Sequence, residues 1–115
     1  MATPDLLVVM CTVPESTATA LVDALLEQRL VACAQLVGAV RSRYRWQGAV
    51  EESVEVLLVL KTARDRVAAL REAVLARHPY QLPEILELPV SGGHEAYLQW
   101  VVSETRPLPH GGEPA

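Results

Sequence analysis

The chain has 115 residues, half of them hydrophobic, and a net charge of −4 at pH 7. That length fits a single domain with its own core, and no apolar run approaches the ~20 residues of a membrane helix. The acidic balance and the 4% aromatic content argue against a nucleic-acid partner. Because the N-terminus has no basic region and only a short apolar stretch, we expect no signal peptide and a cytoplasmic protein with two free thiols.

The first part of the chain predicts a buried strand followed by a helix. The continuous apolar run at 6–12 is typical of a strand that is buried on both faces. Thr12 and Glu15 have the spacing of a capping box, so we expect Thr12 to cap the helix. Apolar residues with helical spacing follow at Ala18, Leu21, Val22, Leu25 and Leu26.

A long β-hairpin is predicted next, because the apolar period changes to two from Leu30 onward. Its arms run from about 31 to 46 and from 50 to 62, around a turn at Gln47–Gly48. At ~3.3 Å per residue each arm is roughly 40–50 Å long, whereas a compact domain of this size has a radius of gyration near ~13 Å. The ribbon should therefore project from the core, and its open edges predict a closed oligomer.

Charged residues alternate along both arms of this hairpin. One arm carries Arg41, Arg43 and Arg45, and the other carries Glu51, Ser53 and Glu55 at every second position. A row of arginines opposite a row of glutamates predicts a cross-strand charge ladder. Phosphate binding by the arginines is the alternative interpretation.

The second half of the chain predicts a helix, a short strand and another helix. Thr62 and Asp65 indicate a cap, and the helix cannot continue past His78, because a residue before proline is pushed out of the α region. Its inner face is expected to carry Val67, Leu70 and Val74. A fourth strand at 85–90 follows, and a third helix bears Tyr97, Leu98, Trp100 and Val101. We expect residues 1–104 to form the domain and the Pro- and Gly-rich 105–115 to be a disordered tail.

The element order β-α-β-β-α-β predicts an α+β fold, a ferredoxin-like sandwich with a long β2–β3 hairpin and an extra C-terminal helix. Right-handed crossovers give a sheet order of 4-1-3-2 with antiparallel neighbours. In that order the end of strand 1, the end of the second helix and the start of strand 4 meet. We therefore expect Cys11, His78 and Glu84 to converge at one edge of the sheet.

A thiolate, an imidazole and a carboxylate suit copper or zinc rather than magnesium or calcium. Each residue also has a purely structural interpretation. Cys11 is then a small buried hydrophobe, His78 a charge at a helix C-terminus, and Glu84 an ion-pair partner of Arg77. Cys33, which lies among small apolar residues, is expected to fill the core.

Three aromatic residues, Trp46, Tyr80 and Trp100, are candidates for a small-ligand cleft near His78. For Trp46 and its neighbour Tyr44, packing against another subunit is the alternative. The chain has no G-x-S-x-G, P-loop or G-x-G-x-x-G sequence. We therefore expect a binding protein rather than an enzyme.

Six blocks of the sequence, in order along the chain, resemble the CutA family of divalent-cation tolerance proteins. They are "VVMCTVP" (8–14), "LLEQRLVACAQLV" (25–37), "YRWQG" (44–48), "EESVEVLLVLKT" (51–62), "HPYQLPEILELPV" (78–90) and "YLQW" (97–100). The resemblance implies a ferredoxin-like protomer, a homotrimer built through the hairpins with a P-II-like shape, and copper (Cu²⁺) binding at Cys11, His78 and Glu84. Arg77 stands where some members of the family have a second histidine, and a cation there would weaken a metal site.

From this resemblance we expect a homotrimer that binds a divalent transition metal, copper above all, and takes part in metal tolerance. No cofactor is expected to be needed for folding. Two alternatives stay open. One is a P-II-like signalling trimer that binds a small anionic metabolite in clefts between subunits. The other is a structural or anchoring trimer that has a protein partner and no ligand of its own.

Overall fold

A computed structural model describes residues 4–107 of the chain and contains four strands and three α-helices. In chain order these are β1 (Leu6–Val13), α1 (Glu15–Glu27), β2 (Cys33–Trp46), β3 (Ala49–Ala63), α2 (Val67–Arg77), β4 (Ile85–Pro89) and α3 (Glu95–Glu104). The sheet order is β2-β3-β1-β4 and all neighbours are antiparallel. The predicted α+β architecture and strand order are confirmed. Within residues 4–107, no helix combines the length and the apolar character that crossing a membrane requires.

The main core lies between one face of the sheet and the helices α1 and α2. Leu58 and Leu60 of β3, Leu25 of α1 and Leu70 of α2 are all fully buried there. A smaller cluster forms where Leu98 and Val101 of α3 pack against Leu6. Because successive side chains of a strand point to opposite faces, Leu6 lies on the face away from Cys11 and Val9.

The helix caps that the sequence predicted are wrong. Thr12 belongs to β1 and pairs with Leu57, and α1 starts after Pro14 without a side-chain cap. Thr62 belongs to β3, where its buried hydroxyl donates a hydrogen bond to the carbonyl of Leu30 over 2.8 Å. Both threonines lie inside strands, and the N-cap positions that follow are occupied by Pro14 and Ala63 instead. The predicted end of α2 is correct, since His78 has an extended backbone with φ −75° and ψ 132°.

The predicted pairing of the arginine row with Glu51, Ser53 and Glu55 across the two strands is also wrong, and a β-bulge is the reason. Val37 pairs with Leu57 but Val40 pairs with Glu55, so β2 carries one extra residue between these pairs. A one-residue shift moves every following side chain to the other face. Consequently the arginines meet a single carboxylate, since both Arg41 and Arg43 approach Glu52, with Nε–Oε1 distances of 3.7 and 3.3 Å.

The same shift changes the neighbours of the residues that were expected to face the arginines. Glu51 and Ser53 lie opposite Tyr44 and Ser42 rather than opposite arginines. Without the extra residue, Arg43 would face Glu51. One face of the ribbon formed by β2 and β3 therefore carries aromatic, hydroxyl and carboxylate groups, and the other carries the arginines.

The hairpin extends the molecule, as its length predicted. The radius of gyration is 15.2 Å and the principal extents are 49 × 32 × 21 Å, against a radius of gyration of ~13 Å for a compact domain of this size.

The residues that follow α3 are packed onto the domain. Thr105 is fully buried and Arg106 forms a bidentate ion pair with Asp65. The first residues of the predicted tail are thus packed onto the domain, and the remainder, 108–115, lies outside the described residues.

Two adjacent leucines of α1 provide a test of the core assignment. Leu25 is fully buried and Leu26 is 41% exposed. We expect Leu25→Ala to lower the free energy of unfolding by about 2–5 kcal/mol, because it leaves a cavity in the core. Leu26→Ala should lower it by less than about 1 kcal/mol. Denaturant unfolding at matched protein concentration measures both, and equal losses would contradict the proposed orientation of α1.

Candidate functional site

Strand pairing and the end of α2 bring three potential ligand residues to one corner of the sheet. Cys11 lies opposite Ile85 at the last β1–β4 pair, so Glu84, just before β4, lies next to the end of β1. The ring of His78 follows directly after α2, and its Nε2 is 2.8 Å from the carbonyl oxygen of Thr12. A thiol, an imidazole and a carboxylate therefore surround the end of β1.

Both ring nitrogens of His78 are engaged within the protein. The backbone N–H of Tyr80 donates to Nδ1 over 3.2 Å, so Nδ1 acts as an acceptor. Nε2 then carries the proton and donates to the carbonyl of Thr12. With these two hydrogen bonds in place, neither nitrogen has a free lone pair to offer a metal ion.

The thiol of Cys11 is fully buried, at 0% exposure. Burial, and to a smaller extent the nearby carboxylates of Glu84 and Glu55, raise the pKa of this thiol to about 12. The group is therefore protonated at neutral pH, with Sγ 3.7 Å from the carbonyl oxygen of Thr12. Since the thiolate is the metal ligand, a metal has to displace this proton.

The donor types at this corner fit copper, but their arrangement here does not present them to an ion. Among residues 4–107, no group of three His, Cys, Asp or Glu side chains is placed to hold a metal. Two of the three donors are occupied by protons and hydrogen bonds of the protein's own. Glu84 is exposed, and within the described residues it forms no ion pair with Arg77, which is also exposed.

A cavity of about 790 Å³ lies beside this corner, between the hairpin and the segment at 79–84. Thr12 and Glu84 belong to its wall, which connects the cavity to the corner. Of the three aromatic candidates, Trp46 and Tyr80 line the cavity. Trp100 does not line the cavity. It lies on α3, where its ring is 5.6 Å from that of Tyr97.

One residue of this site was not singled out from the sequence. Glu55 is only 5% exposed, lines the cavity and accepts a hydrogen bond from the hydroxyl of Tyr80 over 2.8 Å. Burial, and then this bond to Glu55, raise the pKa of Tyr80 to about 12. In the sequence Glu55 is one of several alternating charges, and only the bulge in β2 distinguishes it from its neighbours.

Residues 7–104 match the family model described as "CutA1 divalent ion tolerance protein". A relative from Thermus thermophilus named divalent-cation tolerance protein CutA is 46% identical over 99 residues, which span 85% of this chain and 96% of the relative. A relative of the same name from Citrobacter koseri is 42% identical over 104 residues, 90% of each chain.

Solved structures agree with these relatives. The crystal structure of CutA1 from Oryza sativa superposes with a TM-score of 0.87 at 37% identity, covering 90% of this chain and 96% of that one. The "PII-like protein CutA" from Nostoc superposes with a TM-score of 0.83 at 28% identity, covering 87% and 97%. By sequence over nearly its whole described length, and by fold, the chain belongs to the CutA1 family of divalent ion tolerance proteins.

Proposed function

We propose that this protein acts in divalent-cation tolerance as a homotrimer that binds copper between Cys11, His78 and Glu84. The observation that carries the proposal is the 2.8 Å contact of His78 Nε2 with the carbonyl next to Cys11, together with the pairing of Cys11 with the residue after Glu84. A soft thiolate, an imidazole and a carboxylate form a donor set that favours copper over harder divalent ions. The proposed role is binding, not catalysis.

Binding at this corner requires two local changes. Cys11 must lose its proton, and His78 must release either the Thr12 carbonyl or the Tyr80 N–H. The first change makes the affinity depend on pH, because every bound copper releases a proton. The second opposes binding, because a buried carbonyl or N–H left without a partner costs about 1–3 kcal/mol. Copper binding is therefore coupled to a rearrangement of the segment that begins at His78.

Exposed apolar side chains support the proposed trimer. On the ribbon Val50 is 56% and Val54 is 67% exposed, and on the edge strand β4 Leu86 is 54% exposed. Both β2 and β4 are edge strands of the sheet, and unpaired edges favour association with another chain. Three copies arranged around an axis would cover these surfaces in a closed assembly.

A second candidate function is a P-II-like signalling trimer that binds a small molecule. The cavity of about 790 Å³ favours it, since sites for metabolites commonly span 300–1,000 Å³. One structural relative is itself named a PII-like protein. A protein that responds neither to copper nor to small molecules would instead fit a structural or anchoring role.

The protonation state of Cys11 can be tested by alkylation. With a pKa of about 12 against an ordinary 9.0, the folded protein has about a thousandfold less thiolate than an ordinary cysteine at neutral pH. We expect iodoacetamide to leave Cys11 essentially unmodified in the folded Cys33→Ser variant at pH 8. Above pH 8 the reaction rate should rise about tenfold per pH unit, because the thiolate fraction does. Intact mass spectrometry measures the reaction. The same variant in guanidinium is the control, and rapid reaction of the folded form would contradict a buried, protonated thiol.

The copper site can be tested by isothermal titration with Cu(II). We expect Cys11→Ser and His78→Ala each to weaken binding at least about tenfold, because each removes a ligand. Affinity in the unmodified protein should rise with pH by about tenfold per unit as the thiol proton is displaced. Cys33→Ser and His94→Ala change the same residue types outside the corner and should bind normally. Unchanged binding in both corner variants would leave the named site without support.

Sedimentation velocity tests the proposed assembly. We expect the protein to sediment as a single species whose mass is three times the 12.6 kDa of one chain. Val54→Lys should lower the assembled fraction, because it places a charge in an apolar contact between subunits. Leu75→Lys, on the 49% exposed surface of α2, serves as the matched control and should leave assembly unchanged. A monomeric unmodified protein, or equal dissociation of both variants, would refute the trimer or the ribbon contact.

A further inference from the structure

The cavity beside the corner combines aromatic rings with a buried carboxylate. Tyr44, Trp46 and Tyr80 line it, and Glu55 contributes a carboxylate that is only 5% exposed. We propose that this cavity binds a small organic cation, a protonated amine or a quaternary ammonium group, with its charge against Glu55. The inference rests on the second candidate function, a small-molecule role for the cavity, and names the class of ligand.

The β-bulge determines which side chains face the cavity. Beyond it, Tyr44 lies opposite Glu51 and Val40 opposite Glu55, so alternate residues of the two strands share one face. Tyr44, Trp46 and Glu55 all belong to this shared face. Aromatic faces attract cations through their ring quadrupole, and a carboxylate among them adds the opposite charge.

Hydrogen bonds hold two of the rings in place. The hydroxyl groups of Tyr44 and Ser53 are 2.7 Å apart, which fixes the ring of Tyr44 across β3. The hydroxyl of Tyr80 donates to Glu55 over 2.8 Å, which fixes its ring against the carboxylate. Side chains held in this way lose little conformational freedom when a ligand binds.

The charge of Glu55 has no cation to balance it within residues 4–107. Its one hydrogen bond in that range comes from the neutral hydroxyl of Tyr80, and the ion pairs there do not include it. Burial of a carboxylate without a counter-charge is unfavourable. A cationic ligand in the cavity would remove that penalty, which gives the site a preference for positive charge.

The arginines near the cavity do not reverse this preference. Arg43 and Arg45 are among its lining residues, but they alternate with Tyr44 and Trp46 along β2, so their side chains leave the ribbon on its other face. Arg43 is already committed to Glu52, with an Nε–Oε1 distance of 3.3 Å. Glu84, a second carboxylate, also lines the cavity. The balance of charge therefore favours a cation over the anionic metabolite that the sequence suggested.

The aromatic lining also discriminates against a bare metal ion. A hard divalent cation needs six or more oxygen ligands or retained water, and the rings of Tyr44, Trp46 and Tyr80 do not supply them. The same rings suit the methyl or methylene groups of an organic cation. The volume of about 790 Å³ accommodates such a molecule together with its uncharged part.

Choline is a suitable probe, with the neutral alcohol in which carbon replaces its nitrogen as the matched control ligand. Binding is followed by ligand-observed NMR with the unmodified full-length protein. Fluorescence gives a second readout in Trp100→Phe, where Trp46 is the one remaining tryptophan of the two in the chain. We expect choline to bind about tenfold more tightly than the alcohol and to change the Trp46 emission.

Variants test whether Glu55 is the source of the charge preference. Glu55→Gln keeps an acceptor for Tyr80 but removes the charge, and it should abolish the preference for choline over the alcohol. Glu52→Gln makes the same change on the other face of the ribbon and should preserve the preference. Circular dichroism and sedimentation confirm that both variants fold and assemble.

The outcomes separate the ligand class from the small-molecule role itself. The proposal would be overturned if the unmodified protein bound choline and the alcohol equally, a comparison that needs no variant. It would also be overturned if Glu55→Gln kept the preference for choline. Tighter binding of citrate than of choline would overturn the cationic class while supporting an anionic ligand in the cavity. No binding of choline, the alcohol or citrate would overturn the cavity as a small-molecule site together with this proposal.

Discussion

The extra residue in β2 between Val37 and Val40 determines how the hairpin presents its side chains. An exposed arginine–glutamate pair contributes at most about 1 kcal/mol, so loss of a regular charge ladder has a small effect on stability. The shift in register instead places Glu55 on the same face as the aromatic rings of β2. Because the side-chain period of a strand is two, one inserted residue converts a charged ribbon surface into the wall of a cavity.

At the end of β1, the ring of His78 has both a structural role and a role in the proposed copper site. Pairing with β4 stops at Cys11, and the carbonyl of the next residue, Thr12, accepts from the ring of His78. The imidazole thus performs a structural task, since it satisfies a backbone acceptor beyond the last β1–β4 pair. In the proposed copper site, either Nε2 or Nδ1, which accepts from the N–H of Tyr80, would be the donor atom. Binding of copper at this corner would therefore compete with a hydrogen bond that stabilises the fold.

The sequence predicted the features that depend on repeated local patterns. The apolar periodicity identified the core positions of α1 and α2, and Pro79 correctly ended α2 at Arg77. The capping signals at Thr12 and Thr62 failed because pairing in the sheet, which depends on distant residues, engages both threonines. The charge ladder failed because a bulge has no reliable sequence signature. Glu55 was consequently missed as a site residue, although Trp46 and Tyr80 were identified as candidates for the cleft.

Tyr80 links the two proposed sites through two different groups. Its backbone N–H donates to Nδ1 of His78, and its hydroxyl donates to the carboxylate of Glu55. Release of His78 would remove the acceptor of the Tyr80 backbone N–H. A cation against Glu55 would alter the carboxylate that accepts from the Tyr80 hydroxyl. When two ligands act on one shared element, each alters the affinity for the other by the same factor. Tyr80 therefore contacts a residue of each proposed site, and it is the residue through which copper and an organic ligand would influence each other.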